Sequence, residues 1–159
     1  MRIRLLVAAI AGVSCCLSNA PARADAIEVR TRPLVLDAKD PHRTRVGRLE
    51  WRGGLELTSA HRRFGGLSSL RVTPDGSRFT AVSDEGWRLD GSLLQDTGGR
   101  LVGLDATTLV PLLSRRGRPL PDIGKHESDA ESLVREAGGG FVIGFEGDHR
   151  IVRYPPEGR

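Results

Sequence analysis

The chain has 159 residues, 38% hydrophobic and 28% charged, with 20 glycines, 9 prolines and a formal net charge of +4. That composition excludes collagen, a coiled coil and wholesale disorder, and the length suits one domain or part of one. So many glycines and prolines favour short strands joined by tight turns over long helices.

In chain order, the first element is a targeting segment. Met1-Arg2-Ile3-Arg4 is a basic opening, Leu5 to Leu17 carries 13 uncharged residues, and Ala22-Arg23-Ala24 has the small-x-small form that signal peptidase accepts. The apolar run is short for a membrane span, which needs about 18 residues. Residues 1–24 are therefore read as a cleaved signal peptide, with a retained N-terminal anchor as the alternative. The protein is expected in the periplasm or outside the cell, with no membrane partner after cleavage. Cleavage also removes Cys15 and Cys16, so no thiol or disulfide chemistry is expected. It removes Arg2, Arg4 and Arg23 as well, leaving 21 basic residues against 20 acidic ones. The sequence pI of about 9.8 is thus a property of the precursor. Nucleic acid, which needs a basic surplus gathered on one face, is not an expected partner.

Residues 25–45, polar and arginine-rich, read as an N-terminal strand and loop ahead of a domain over 46–159. Gly54-Leu55-Glu56-Leu57-Thr58 alternates with period two, as a strand with one buried face does. Leu67 to Val72, then Thr73-Pro74-Asp75-Gly76-Ser77, then Phe79 to Val82 reads as a hairpin. Here proline presets φ, aspartate bonds back to the chain and glycine accepts positive φ. Leu101 to Leu113 is apolar and fits either a strand pair or a short helix. A second copy of the hairpin follows: Leu133-Val134, the turn at Gly138-Gly139-Gly140, and Phe141 to Phe145, with Ile151 to Tyr154 as a further strand. The two copies align at an offset of 62 to 63 residues, and each second strand ends in acids, Asp84-Glu85 and Glu146-Gly147-Asp148. Such repeats of antiparallel strands are how β-propeller blades look in sequence, so the expected fold class is all-β and propeller-like.

Several motifs together resemble a known family. These are Gly53-Gly54-Leu55-Glu56-Leu57, Phe64-Gly65-Gly66-Leu67-Ser68-Ser69-Leu70, Pro74-Asp75-Gly76, Ala81-Val82-Ser83-Asp84-Glu85-Gly86, Asp129-Ala130-Glu131-Ser132-Leu133 and Phe145-Glu146-Gly147-Asp148-His149-Arg150-Ile151. Over roughly residues 46–156 they resemble the phytase-like domain family of exported bacterial proteins, also described as esterase-like activity of phytase. The resemblance implies a β-propeller with acidic residues at one end of a central channel, and hydrolysis of phosphate or carboxylic esters. A closed propeller needs at least four blades, on the order of 160 residues, and 135 follow residue 24. An incomplete propeller, the N-terminal portion of a family member, is therefore expected. A non-catalytic binding or scaffold module, or an inactive fragment of a longer protein, are the alternatives.

Acids at matching ends of repeated strands converge if the blades stack. Asp84, Glu85 and Asp148 are assigned to a metal, for which calcium, with its six to eight oxygen ligands, suits such donors. Asp129, Glu131, Glu146 and Arg150 are assigned to catalysis: carboxylates position water, and a guanidinium clamps a phosphate or carboxylate. The plainer reading of each is a turn former, a solvated cap or, for Arg150, an ion pair with a neighbouring acid. The expected partner is a small ester or phosphate. His126-Glu127-Ser128-Asp129 is not a triad, whose members meet in space rather than along the chain. There is no nucleophile elbow, zinc-protease motif or phosphate loop. Trp51 and Trp87 read as packing residues, and Arg62-Arg63 and Arg115-Arg116-Gly117-Arg118 as solvated loops.

Overall fold

The computed structural model describes residues 24–156; the segment read as a signal peptide, apart from Ala24, lies outside the described residues, as do Cys15 and Cys16. The described chain is all-β. Its strands are β1 (Asp25–Ala26), β2 (Arg30–Leu34), β3 (Arg45–Val46), β4 (Leu49–Glu50), β5 (Gly54–Thr58), β6 (Leu67–Val72), β7 (Arg78–Ser83), β8 (Trp87–Gln95) and β9 (Leu101–Pro111). A 3-10 turn at Leu120–Asp122 and a one-turn helix α1 (Lys125–Ser128) lead into β10 (Ala130–Arg135), β11 (Phe141–Phe145) and β12 (Arg150–Tyr154).

All pairings are antiparallel. One sheet has the order β1-β9-β8-β7-β6 and another the order β10-β11-β12, with β2-β5 and β3-β4 as two-stranded ribbons. The run β6 to β9 is an up-and-down meander, the form of one propeller blade, and β10 to β12 make three strands of a second. The first strand of the second blade, β10, lies against β6 and β7 of the first. Among the described residues the sheets do not close into a ring, and the fold is an incomplete propeller.

The hairpin turn forms by the expected chemistry. The Asp75 carboxylate accepts from the Thr73 hydroxyl at 2.5 Å, the Ser77 hydroxyl at 2.7 Å and the Ser77 backbone N–H at 3.1 Å. Gly76 takes φ +72°. These donors hold the Asp75 carboxyl at about 2, the Thr73 and Ser77 hydroxyls first. A carboxyl depressed in the fold contributes stability above its ordinary range and loses it as pH falls toward the depressed value. Asp75→Ala is therefore expected to lower the melting temperature at pH 7 and to leave it unchanged near pH 2. A deficit that persists undiminished at pH 2 would show that the loss is not electrostatic.

The segment Leu101–Leu113 is neither a strand pair nor a helix. It is one strand, Leu101–Pro111, lying along β8, followed by the start of a turn. Its pattern was ambiguous because the pairing shifts in the middle: Asp90 faces Thr108 but Ser92 faces Asp105. The bulge puts Ala106 at φ +48° and breaks the period of two that marks a strand.

Two cores follow from period-two alternation in β7. Phe79 and Ala81 point to one side, with Ile27, Leu89 and Leu109. Val82 points to the other, into a core between the blades made with Leu112, Leu120, Ala130, Leu133, Phe141, Ile143 and Phe145. This second core fixes one blade against the next and so sets the relative position of their ends.

Candidate functional site

The two blades carry the same irregularity at the same place. In the first, Leu67 faces Ser83 and Ser69 faces Val82, which leaves Ser68 as the extra residue. In the second, Ala130 faces Phe145 and Ser132 faces Gly144, which leaves Glu131 extra. A bulge bends its strand and re-aims the extra side chain. Beside each bulge sits the same hydrogen bond: the Asp84 N–H donates to the Gly66 carbonyl, and the Glu146 N–H to the Asp129 carbonyl, both at 2.9 Å. Asp84 and Glu146 thus hold equivalent positions in successive blades, as do Ser68 and Glu131, and Gly66 and Asp129.

The bulge and the pairing of β10 with β11 bring three acids of the second blade together. Asp129, Glu131 and Glu146 each place a carboxylate oxygen within 4.8 Å of the others. Lys125, on α1 four residues before Asp129, puts its ammonium 2.5 Å from Asp129 Oδ1 and 2.8 Å from Asp84 Oδ2, and ties Asp84 to the group. The hydrogen bonds to both carboxylates raise the ammonium pKa above its usual value. The Glu131 carboxyl is also raised, first by partial loss of water and then by the charges of Asp129 and Glu146. Asp84 Oδ1 is buried with no hydrogen-bond partner among the described residues. It lies so close to the Gly66 backbone that a Cβ there would overlap it.

The remaining residues assigned from sequence lie elsewhere. Glu85 is exposed at the turn after β7. The Asp148 carboxylate is exposed and pairs with Arg150 at 3.4 Å. Arg150 also donates to the Glu127 carbonyl and stacks over the Phe145 ring at 4.0 Å, while sharing an open surface with Glu131 and Glu146. Among the described residues, three of the four assigned to catalysis form the convergent carboxylate group, whereas Asp84, Glu85 and Asp148 do not form a group of their own. Lys125 went unnoticed in the sequence; its signal was an i, i+4 spacing to Asp129 in a chain with few lysines.

These carboxylates form a set that could hold a metal ion, at one end of the second blade. A family model described as phytase-like, esterase-like activity of phytase, matches residues 62–159, more than half of the chain. The chain belongs to the phytase-like family. The matched stretch of this phytase-like protein runs from the loop before β6 past β12, and contains both bulges and every carboxylate of the cluster. Searches of curated proteins and of solved structures each gave no match. Among the described residues, no helix is long and apolar enough to cross a membrane.

Proposed function

We propose that this phytase-like protein is exported by its N-terminal signal and hydrolyses phosphate or carboxylic esters at the acidic end of its blades, in a domain spanning residues 46–159. The observation that supports this most is the convergence of Asp129, Glu131 and Glu146 within 4.8 Å. The Glu131 carboxyl, pushed up by partial loss of water and by the charges of Asp129 and Glu146, is suited to take a proton from an attacking water and return it to the leaving group. Arg150, on the same open surface, offers a guanidinium to the oxyanion of the substrate.

The donor set fits a hard cation such as calcium, which prefers carboxylate oxygens. We move this role from Asp84, Glu85 and Asp148 to Asp129 and Glu146, with Glu131 beside them and the unpartnered Asp84 Oδ1 at the margin. Calcium there would neutralise like charges and polarise a substrate oxygen. The second reading, a binding or scaffold propeller without turnover, is favoured by Lys125, whose ammonium already neutralises Asp84 and Asp129.

Glu131→Gln combined with Glu146→Gln separates the two readings. Turnover of 4-nitrophenyl phosphate or 4-nitrophenyl acetate is expected to fall by about 100-fold or more. The fold should survive. An acid whose pKa is raised in the fold contributes stability at low pH that is lost as pH rises through the raised value, so neutral glutamine at position 131 costs nothing at pH 7. Unchanged turnover in a folded double variant would reject the hydrolase, as would a wild-type chain inactive on both esters with calcium present.

A further inference from the structure

We propose that the turn Ser114–Arg118 and strand β12 frame a second binding site, for an organic anion with a phosphate or carboxylate head and an apolar body. A pocket of about 530 Å³ opens between them. Arg115, Arg116 and Arg118 border it from the turn and Arg150 from β12, against Glu127 and Asp148 as the acids of its wall. Guanidiniums thus outnumber carboxylates four to two, and the Asp148 carboxylate already engages Arg150. The Arg115, Arg116 and Arg118 side chains make no hydrogen bond or ion pair with any described residue. Arg153, by contrast, grips Glu136 at 2.8 Å.

The turn that carries these charges is braced. Ser114 N–H donates to the Arg118 carbonyl at 2.8 Å, Arg118 N–H to the Ser114 hydroxyl at 3.1 Å, and Leu113 bridges to Pro119. Gly117 takes the positive φ of +74° that the reversal needs. On either side, Leu112 and Leu120 are buried in the core between the blades. Three arginines thereby leave one short, braced reversal, where an oxyanion can accept their paired N–H groups.

The floor of the pocket is apolar, from Leu113, Ile123 and Val152 together with the Tyr154 ring. The Tyr154 hydroxyl has no hydrogen-bond partner among the described residues. Burial pushes its hydroxyl up to about 12, so at neutral pH it stays a neutral donor. A cationic rim over an apolar floor selects a ligand with both an anionic head and a hydrocarbon body. The three turn arginines take no part in the hydrolysis proposed above, and Arg150 alone borders both surfaces.

The test is calorimetric titration of the whole Glu131→Gln, Glu146→Gln chain, in chelator and low salt, with phenyl phosphate, phenylacetate, phenol and inorganic phosphate. One saturable site is expected for phenyl phosphate or phenylacetate, at least about tenfold tighter than for phenol or inorganic phosphate, and weakened by salt. The tighter of the two anions identifies the head group. Adding Arg115→Gln, Arg116→Gln and Arg118→Gln, all exposed and so harmless to the fold, should weaken binding at least tenfold. No saturable binding by either anion, inorganic phosphate binding as tightly as phenyl phosphate, or affinity unchanged in the arginine variant would each overturn the site. The chain titrated already lacks Glu131 and Glu146 and every variant keeps Arg150, so failed binding reports on the turn arginines, while hydrolysis is read separately from turnover by the unsubstituted chain.

Discussion

Ile143→Ala is expected to destabilise the protein by about 2–5 kcal/mol, a large fraction of the 5–15 kcal/mol that holds a typical domain together. Ile143 is fully buried, in the middle strand of the β10-β11-β12 sheet, with Leu133 and Val152 as its cross-strand partners. It belongs to the core that joins one blade to the other. Removing its side chain leaves a cavity that the surrounding strands cannot close, because their hydrogen-bonded registers fix them. A thermal melt followed by circular dichroism should fall by roughly 10 °C. Val134→Ala on the neighbouring strand, where the side chain is 52% exposed, should shift stability by less than about 1 kcal/mol. Equal effects at the two positions would mean that the blades are not joined through this core.

Gly66→Ala should cost about 2–3 kcal/mol, and the reason lies in the acidic end. Gly66 has φ +56°, a conformation that disfavours a side chain by about 1–2 kcal/mol on its own. Its new methyl would also overlap Asp84 Oδ1, so the carboxylate must leave its position and loosen its pair with Lys125. Gly47→Ala is the matched control: the same φ of +56°, but nothing within 4 Å of the added carbon. The difference between the two melts isolates the displacement of Asp84. Glycine at position 66 is thus required twice, by the backbone and by the neighbouring carboxylate. Identical losses in the two variants would show that Asp84 moves aside freely.

Much of the fold was legible because local chemistry and tertiary packing agree. The Pro74-Asp75-Gly76 turn contains its own hydrogen-bond acceptor, and an apolar run flanks it on either side, so β6 and β7 could be drawn from sequence. The repeat at 62 to 63 residues was legible for the same reason, and the structure extends it to a shared bulge and a shared hydrogen bond. Leu101–Pro111 was illegible because the bulge at Ala106 shifts its alternation. Glu131 was found as an acid near a strand end, yet the reason it faces its neighbours, its place as the unpaired residue of a bulge, depends on register with β11 and has no local signature.

The same division applies to charge. Arginines at 115, 116 and 118 read as a solvated loop because a sequence shows which charges are adjacent but not what surface lies beneath them. Their placement over Leu113, Ile123 and Val152 depends on β12, more than 30 residues away in the chain. Asp148 and Glu85 illustrate the converse. They look equivalent to Asp84 and Glu146 by position near a strand end, but one is taken up by Arg150 and the other points to solvent.

The all-β class, the repeated hairpins and the set of acids from which any site must be drawn are written in composition, short-range periodicity and turn chemistry, and the family in the motifs that resemble it. Which acids meet, that Lys125 joins them, and that an arginine turn overhangs an apolar floor are settled in three dimensions. Those outcomes depend on strand register and on how one blade packs against the next, and both are set by burial of side chains distant in sequence.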